Sequence, residues 1–407
     1  MGLASIGASL RQLGHQVSIV DMARRPELRY VPADITGISV KSHAVREAQA
    51  LTKWLRGRSS GKIVWGGAHV TLLKENLIAE NPEVDHFVVG EGEFFTEHLG
   101  AAKVCCMPYV EDLDSLPFPD YTLFDSYTQI VQSPYPLICS RGCPYGCFFC
   151  SVPLISGRKI RYRSVEKCIS EIEAAKTQGF NRVQVLDDNF TFDMDFAKEF
   201  CREVKKVQIP WYLPNGIRAD KLDEELASLL VGAGCYLVSF GVESADSGVY
   251  KSIGKGETLE DIGRAVEIAK KVGLYVNCYF IIGLPGSTFE KDLESFKWAR
   301  EHAVKADFNM LVPYPGTRIW EWARNKRISK DYGSHFGKLA YPTFETEEYT
   351  AEDMMDAFLI LNFFSGSGFT HEWYEIRQEP ELPDLKLRAG RHWELLKACK
   401  LVQGENK

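Results

Sequence analysis

The chain has 407 residues, 45% of them hydrophobic and 25% charged, with a formal net charge of −7. Its length exceeds the roughly 250–300 residues at which a single hydrophobic core stops growing, so two or three domains are expected. The charge gives no electrostatic reason for nucleic-acid binding, and no apolar run approaches the roughly 20 residues that span a bilayer.

No basic region precedes an apolar run at the N-terminus, so no secretory signal is expected. The eleven cysteines are an odd number, mostly placed singly in apolar patterns. That is the habit of buried thiols in a reducing cytoplasm, the expected location, and not of a disulfide framework.

The first hundred residues alternate strand and helix signals. Strands are predicted at 16–21, 35–40, 62–67 and 86–90, with helical patterns at 3–13, 44–55 and 72–80. Such alternation indicates a doubly wound parallel sheet flanked by helices, with ligands at the carboxyl ends of the strands. The chain opens on a helix pattern with no strand before it, so either the start is truncated or misassigned or the domain is reduced. Residues 1–103 are read as this domain, and 104–134, whose run 107–121 holds three prolines and several acids, as an extended linker.

Alternation resumes at 135–319. Six strands (136–140, 182–187, 210–216, 236–242, 275–283, 307–313) and five helices (164–178, 194–206, 222–232, 258–272, 288–303) predict a (β/α)6 partial TIM barrel, again with its chemistry at the strand ends. Residues 320–407 carry many aromatics and read as an α-rich cap or tail with a helix at 350–364. Tyr332, His335 and Tyr341 are substrate-pocket candidates there, although an aromatic cluster is more often plain core.

After the first barrel strand comes Cys143-Pro-Tyr-Gly-Cys147-Phe-Phe-Cys150. Three thiolates at C-x3-C-x2-C spacing can hold three irons of a four-iron cubane and leave the fourth open, whereas electron-carrier clusters take four cysteines. A zinc loop would need a fourth ligand in paired spacing, and none is visible.

This loop, with an aromatic at Phe149, resembles the signature of the radical SAM superfamily. Ser140-Arg-Gly-Cys143, Arg161-Tyr-Arg-Ser164, Asp187-Asp-Asn-Phe190, Phe240-Gly-Val-Glu-Ser244, Ile282-Gly-Leu-Pro-Gly286 and Pro313-Tyr-Pro-Gly-Thr317 extend the resemblance to the subgroup with an N-terminal cobalamin-binding domain. The resemblance implies a four-iron four-sulfur cluster on Cys143, Cys147 and Cys150, and S-adenosylmethionine on the open iron, cleaved reductively to a 5′-deoxyadenosyl radical. An external electron donor such as flavodoxin or ferredoxin is implied with it.

The family pattern implies site residues at each strand end. Asp187 and Asp188 stand where Gly-Gly-Glu is common and would meet the methionyl amino group. Glu243 and Ser244 would hold the ribose or the methionyl end. Arg218 would pair with the methionyl carboxylate, or else with Asp220 or Glu243. Ile282 and Gly283 would approach the adenine, although Tyr279 replaces a usual glycine.

Ser39, Gly66, Gly67, His69, Gly90 and Glu91 resemble the corrinoid slot of the N-terminal domain. No Asp-x-His-x-x-Gly motif supplies an axial histidine, and Lys41 replaces an apolar residue. A degenerate domain without corrinoid therefore stays open. The reading is a cobalamin-dependent radical SAM enzyme, with methyl transfer to an unactivated carbon or phosphorus favoured. The alternatives are a cobalamin-independent oxidoreductase or cyclase and, remotely, a non-catalytic carrier. The substrate, small-molecule or lipid-like, is not named by any spacing.

Overall fold

The computed structural model describes residues 1–22, 31–328, 342–365 and 392–398. Tyr332, His335 and Tyr341 lie outside them. Two sheets organise the chain. The first runs β1 (Ile35–Ser39), β2 (Lys62–Gly66), β3 (His86–Val89), β4 (Val104–Cys106), all parallel. Its helices are α1 (Gly2–Gln12), α2 (Val45–Arg56) and α3 (Ala68–Leu73).

The sheet's core is Ile63, Trp65 and Phe87, all at 0% exposure, with Val40, Leu55 and Val70 around them. Fully burying such side chains contributes about 1.5–3 kcal/mol each. Trp65 and Phe87 meet edge to face at 6.1 Å, and the indole N–H donates to Thr52 Oγ1 at 2.9 Å, leaving no buried donor there unpaired.

Two expectations change. The segment 16–21 is not a strand; it is reduced to one bridge, Ile19 to Phe124. The segment read as an extended linker begins with β4 and continues in short turns, one of which buries Tyr121 against Tyr135 and Phe180. Its prolines end elements without keeping the chain off the core. It ends with α4 (Tyr127–Ile130), and β5 (Tyr135–Leu137) follows.

The second sheet has the order β12-β11-β10-β9-β8-β5. Its further strands are β8 (Val183–Val185), β9 (Trp211–Ile217), β10 (Cys235–Glu243), β11 (Tyr275–Ile282) and β12 (Lys305–Met310). Strands adjacent in space follow one another in sequence with helices between, as a barrel requires. A two-strand antiparallel hairpin, β6 (Ser140–Arg141) and β7 (Arg161–Tyr162), frames the cysteine loop and α5 (Val152–Ile155).

The crossover helices are α6 (Val165–Thr177), α7 (Met194–Val207), α8 (Glu224–Gly232), the short α9 (Ser247–Ser252), α10 (Leu259–Lys271) and α11 (Phe289–Glu301). Their starts are legible in the sequence. Ser164, Asp193, Thr258 and Thr288 cap them, and Thr258 with Asp261 forms a capping box. Helices α12 (Arg318–Ala323) and α13 (Ala351–Ser365) follow the barrel.

The chain divides into two compact units, and the division falls inside β9. One comprises Met1–Pro144, Ser151–Pro214 and Gly232–Cys235; the other Tyr145–Cys150, Asn215–Val231 and the chain from Tyr236 onward. Among the described residues no helix is long and apolar enough to cross a membrane.

Candidate functional site

The first unit holds a cavity of about 350 Å³ at the carboxyl ends of its strands. Ser39, Gly66, Gly67, Gly90 and Glu91 all line it, together with Ser140, Arg141, Leu186 and Asp188 from the barrel side of the same unit. Five sequence-predicted corrinoid residues are thus brought to one space. Gly67 has φ +98 and ψ −177, a region essentially confined to glycine. A Cβ there would stand 2.9 Å from the Val40 carbonyl oxygen and 3.3 Å from Ser39 Oγ, so a side chain would force this backbone beside the cavity to shift. The site suits a bulky, flat ligand that needs close backbone approach.

His69 behaves differently. It is not among the lining residues. Its Nδ1 lies 3.1 Å from Ser42 Oγ, and burial pushes its pKa down to about 4, which keeps the ring neutral. Glu91 lines the cavity but is engaged by protein: Arg161 donates to both its oxygens and Val110 N–H to one. Arg141 bridges Glu91 and Glu93, at 3.3 and 2.6 Å. Both arginines lie in motifs quoted from the sequence, Ser140-Arg-Gly-Cys143 and Arg161-Tyr-Arg-Ser164, but the motifs assign neither of them a role.

The cysteine loop is fixed from several directions. In the first unit, Cys143 N–H donates to the Gly157 carbonyl at 3.0 Å. Gly142 has φ +101, and a Cβ there would stand 2.3 Å from Lys159 O. In the second unit, Cys150 N–H turns back to Cys147 O at 3.2 Å, and the Phe148 backbone bonds to Ile253 and Ile319. Phe149 and all three cysteines are half-buried, unlike the buried Cys139, Cys168 and Cys201. Three partly exposed cysteines at C-x3-C-x2-C spacing are a donor set that fits an iron–sulfur cluster.

The acids after β8 point to the strand before this loop. Asp187 accepts from Cys139 N–H at 2.7 Å and from Ser140 Oγ at 2.6 Å. Burial pushes its carboxyl up to about 7, against those hydrogen bonds. Asp188 accepts from Gly142 N–H at 3.2 Å, and burial raises it too. Asn189 is buried, with neither amide atom partnered in the structure.

In the second unit Glu243 ends β10 with φ +66, an unfavourable value for a residue with a Cβ. Its Oε1 lies 3.1 Å from Lys255 Nζ, which also bonds Glu257 at 3.0 Å and the Gly241 carbonyl. Burial raises the Glu243 carboxyl, with the Lys255 charge opposing. Lys255 and Glu257 were missed from sequence. Ser244 Oγ caps the following turn by accepting from Asp246 N–H.

Arg218 forms a bidentate pair with Asp220, bonds the carbonyls of Lys255 and Gly256, and stacks over Tyr145 at 4.0 Å. It therefore takes the ion-pair alternative. Ile282 is buried, and Gly283 turns with φ +87 at the end of β11.

A parallel-sheet domain with a glycine-lined slot, followed by a partial barrel whose first strand leads into a loop of three cysteines, defines the class: an enzyme pairing a corrinoid-type domain with an iron–sulfur barrel. Comparison with known proteins agrees. The B12 binding domain profile matches residues 1–99 and the Radical SAM superfamily profile residues 137–299. The chain is 30% identical over 87% of its length to an uncharacterized methyltransferase of Pyrococcus horikoshii, covering 84% of that relative. It is 26% identical over 81% of its length to the bacteriochlorophyllide d C-12(1)-methyltransferase of Chlorobaculum tepidum, covering 75% of it. In fold it is similar to the radical S-adenosylmethionine methyltransferase TsrM from Kitasatospora setae, solved with cobalamin and a [4Fe-4S] cluster bound. There the TM-score is 0.67 at 18% identity, covering 81% of this chain and 73% of that one.

The chain belongs to the radical SAM superfamily, in the group that carries a B12-binding domain. It is an enzyme whose cofactors are a four-iron four-sulfur cluster, S-adenosylmethionine and cobalamin.

Proposed function

We propose that this enzyme transfers a methyl group from S-adenosylmethionine, by way of cobalamin, to an unactivated carbon or phosphorus of a small or lipid-like substrate. An external electron carrier in the cytoplasm reduces it. The observation that carries this reading is the single cavity on which the glycines and Ser39 of the first sheet converge with Ser140 and Asp188 of the barrel strands. When bound, the corrinoid supplies a methyl carrier and the cluster supplies an electron for opening the sulfonium. Gly67 and Ser39 admit the corrinoid edge, and the apolar wall of Ile6, Ile38, Val64 and Leu116 excludes water from reactive intermediates. Cys143, Cys147 and Cys150 hold the cluster.

The test is anaerobic purification with added hydroxocobalamin, followed by incubation with reductant and S-adenosylmethionine. Bound corrinoid, S-adenosylhomocysteine and 5′-deoxyadenosine are expected together. Cys147→Ala should lose cluster absorbance and 5′-deoxyadenosine while keeping corrinoid. Nucleoside formation without corrinoid uptake would instead favour a cobalamin-independent oxidoreductase, and the absence of both products would end the reading.

A further inference from the structure

We propose that Asp187 is a positioning residue for the cysteine loop, assisted by Asp188, and is not a contact of the methionyl group. The inference rests on Cys143 as a cluster ligand.

The argument starts from the sheet. The ladder between β5 and β8 ends at the pair Leu137 and Val185, with one last bond from Leu186 N–H to Leu137 O. Beyond that point residues 139–142 leave the strand to enter the cysteine loop. They still run through buried surroundings: Cys139 is 0% and Ser140 2% exposed. A buried backbone N–H that has lost its ladder partner needs another acceptor. Asp187 provides it at Cys139 and takes the Ser140 hydroxyl with its other oxygen. Asp188 does the same for Gly142 N–H.

Three of the four residues ahead of Cys143 are therefore held by two adjacent acids of the neighbouring strand end. A carboxylate acceptor makes such bonds stronger than a neutral carbonyl would. Asp187 takes Cys139 N–H on one oxygen and the Ser140 hydroxyl on the other, is bonded by the Ser140 backbone as well, and is 3% exposed. It does not line the cavity, whereas Asp188 does. Both acids thus reach the segment ahead of Cys143, and only Asp188 also lines the cavity.

The test uses the full chain with Asp187→Asn and Asp187→Ala. Hydrogen exchange of 139–142 is read in the metal-free protein, iron per chain after reconstitution, and the dissociation constant for S-adenosylmethionine in the loaded protein. Asn keeps an acceptor for Cys139 N–H, so its exchange and iron should stay close to wild type. Ala should speed exchange of these amides by about tenfold or more and lose at least about half the iron. In both, affinity of the loaded fraction should stay within about twofold.

Wild-type protection and iron in Asp187→Ala would overturn the proposal. So would normal iron with S-adenosylmethionine affinity weakened about tenfold in Asp187→Asn, the mark of a methionyl contact. Should the Ala variant fail to fold, Ser140→Ala removes only the hydroxyl bond. Unchanged exchange and iron there would also overturn the proposal. Failure of the wild type itself to load iron would count against the cluster assignment, while the exchange measurement would still decide the hold.

Discussion

Arg161 donates to both carboxylate oxygens of Glu91, Nη1 to Oε2 at 2.9 Å and Nη2 to Oε1 at 2.7 Å. Glu91 follows β3 in the corrinoid domain, and Arg161 sits on β7 opposite Arg141 in the hairpin framing the cysteine loop. Arg141 adds its own bonds to Glu91 and Glu93. Fork geometry on a largely buried pair fixes both position and orientation. The end of the corrinoid strand and the start of the cluster loop are thus tied by charge inside one compact unit.

Removing one partner strands the other's charge. Glu91→Ala should destabilise the chain by about 3–5 kcal/mol, as breaking buried pairs does, read by urea unfolding of the metal-free protein. The pH dependence has a definite sign. Burial alone would raise the Glu91 carboxyl, but the Arg161 bonds, the Arg141 charge and Val110 N–H outweigh it and hold the pKa below 4.5. Its contribution is therefore present above that value and lost as pH falls through the lowered folded pKa. A Glu91→Ala variant whose deficit stays constant down to pH 3 would show that the pair is not what stabilises this junction.

Gly67→Val should abolish corrinoid uptake and spare the cluster. The residue's conformation costs a side-chain-bearing residue about 1–3 kcal/mol, and the new Cβ would press on the Val40 backbone and Ser39 Oγ and displace the wall of the slot. Co-eluting cobalamin absorbance and iron per chain separate the two effects. Equal cobalamin in variant and wild type would place the slot elsewhere.

Lys255→Met should weaken the second unit strongly. Glu243 and Glu257 are 8% and 7% exposed, and Lys255 Nζ lies within 3.1 Å of both. Burial disfavours the ammonium, yet the two carboxylates more than compensate and raise its pKa. Leaving them unpaired should cost about 3–5 kcal/mol. Gly241 belongs to the same arrangement, since a Cβ there would stand 2.2 Å from Glu243 Oε1. Gly241→Ala should thus show a comparable loss in thermal unfolding with Lys255 intact. A fully stable Gly241→Ala would mean that Glu243 readily adopts another rotamer.

What the sequence disclosed follows from how local each signal is. Strand β10 reads from Val238, Phe240 and Val242, alternate residues on one face and all 0% exposed, and α10 from its capping box. The cysteine spacing and the glycine pair are local too. β4 was hidden because three residues after a helical turn carry no alternation, and pairing with β3 decides the matter. The segment 16–21 failed for the opposite reason: it alternates well but has only Phe124 to pair with. The ion pair of Arg161 with Glu91 spans 70 positions, beyond any periodic pattern. Nor does Asp187-Asp188 say that both acids turn toward the residues ahead of Cys143; the end of the β5–β8 ladder decides that.

Asp292 gives a pH dependence of opposite sign to Glu91. It is 2% exposed on α11, accepting from Ser287 Oγ at 2.5 Å and Tyr349 hydroxyl at 2.8 Å, with Gly283 N–H as a further donor. Burial pushes its carboxyl up to about 7 from 3.8, against those bonds. Between these values the folded chain binds the proton that the unfolded chain has released. Stability should therefore fall as pH rises from about 4 to about 7 and level off above. Asp187 adds a term of the same sign, so the comparison must be by difference. Asp292→Asn should make the urea midpoint less dependent on pH across this interval. Tyr349→Phe removes a donor that favours the charged form, so it should move the levelling-off to higher pH. Superimposable pH profiles for Asp292→Asn and wild type would mean that this carboxyl ionises in the folded chain as freely as in the unfolded one.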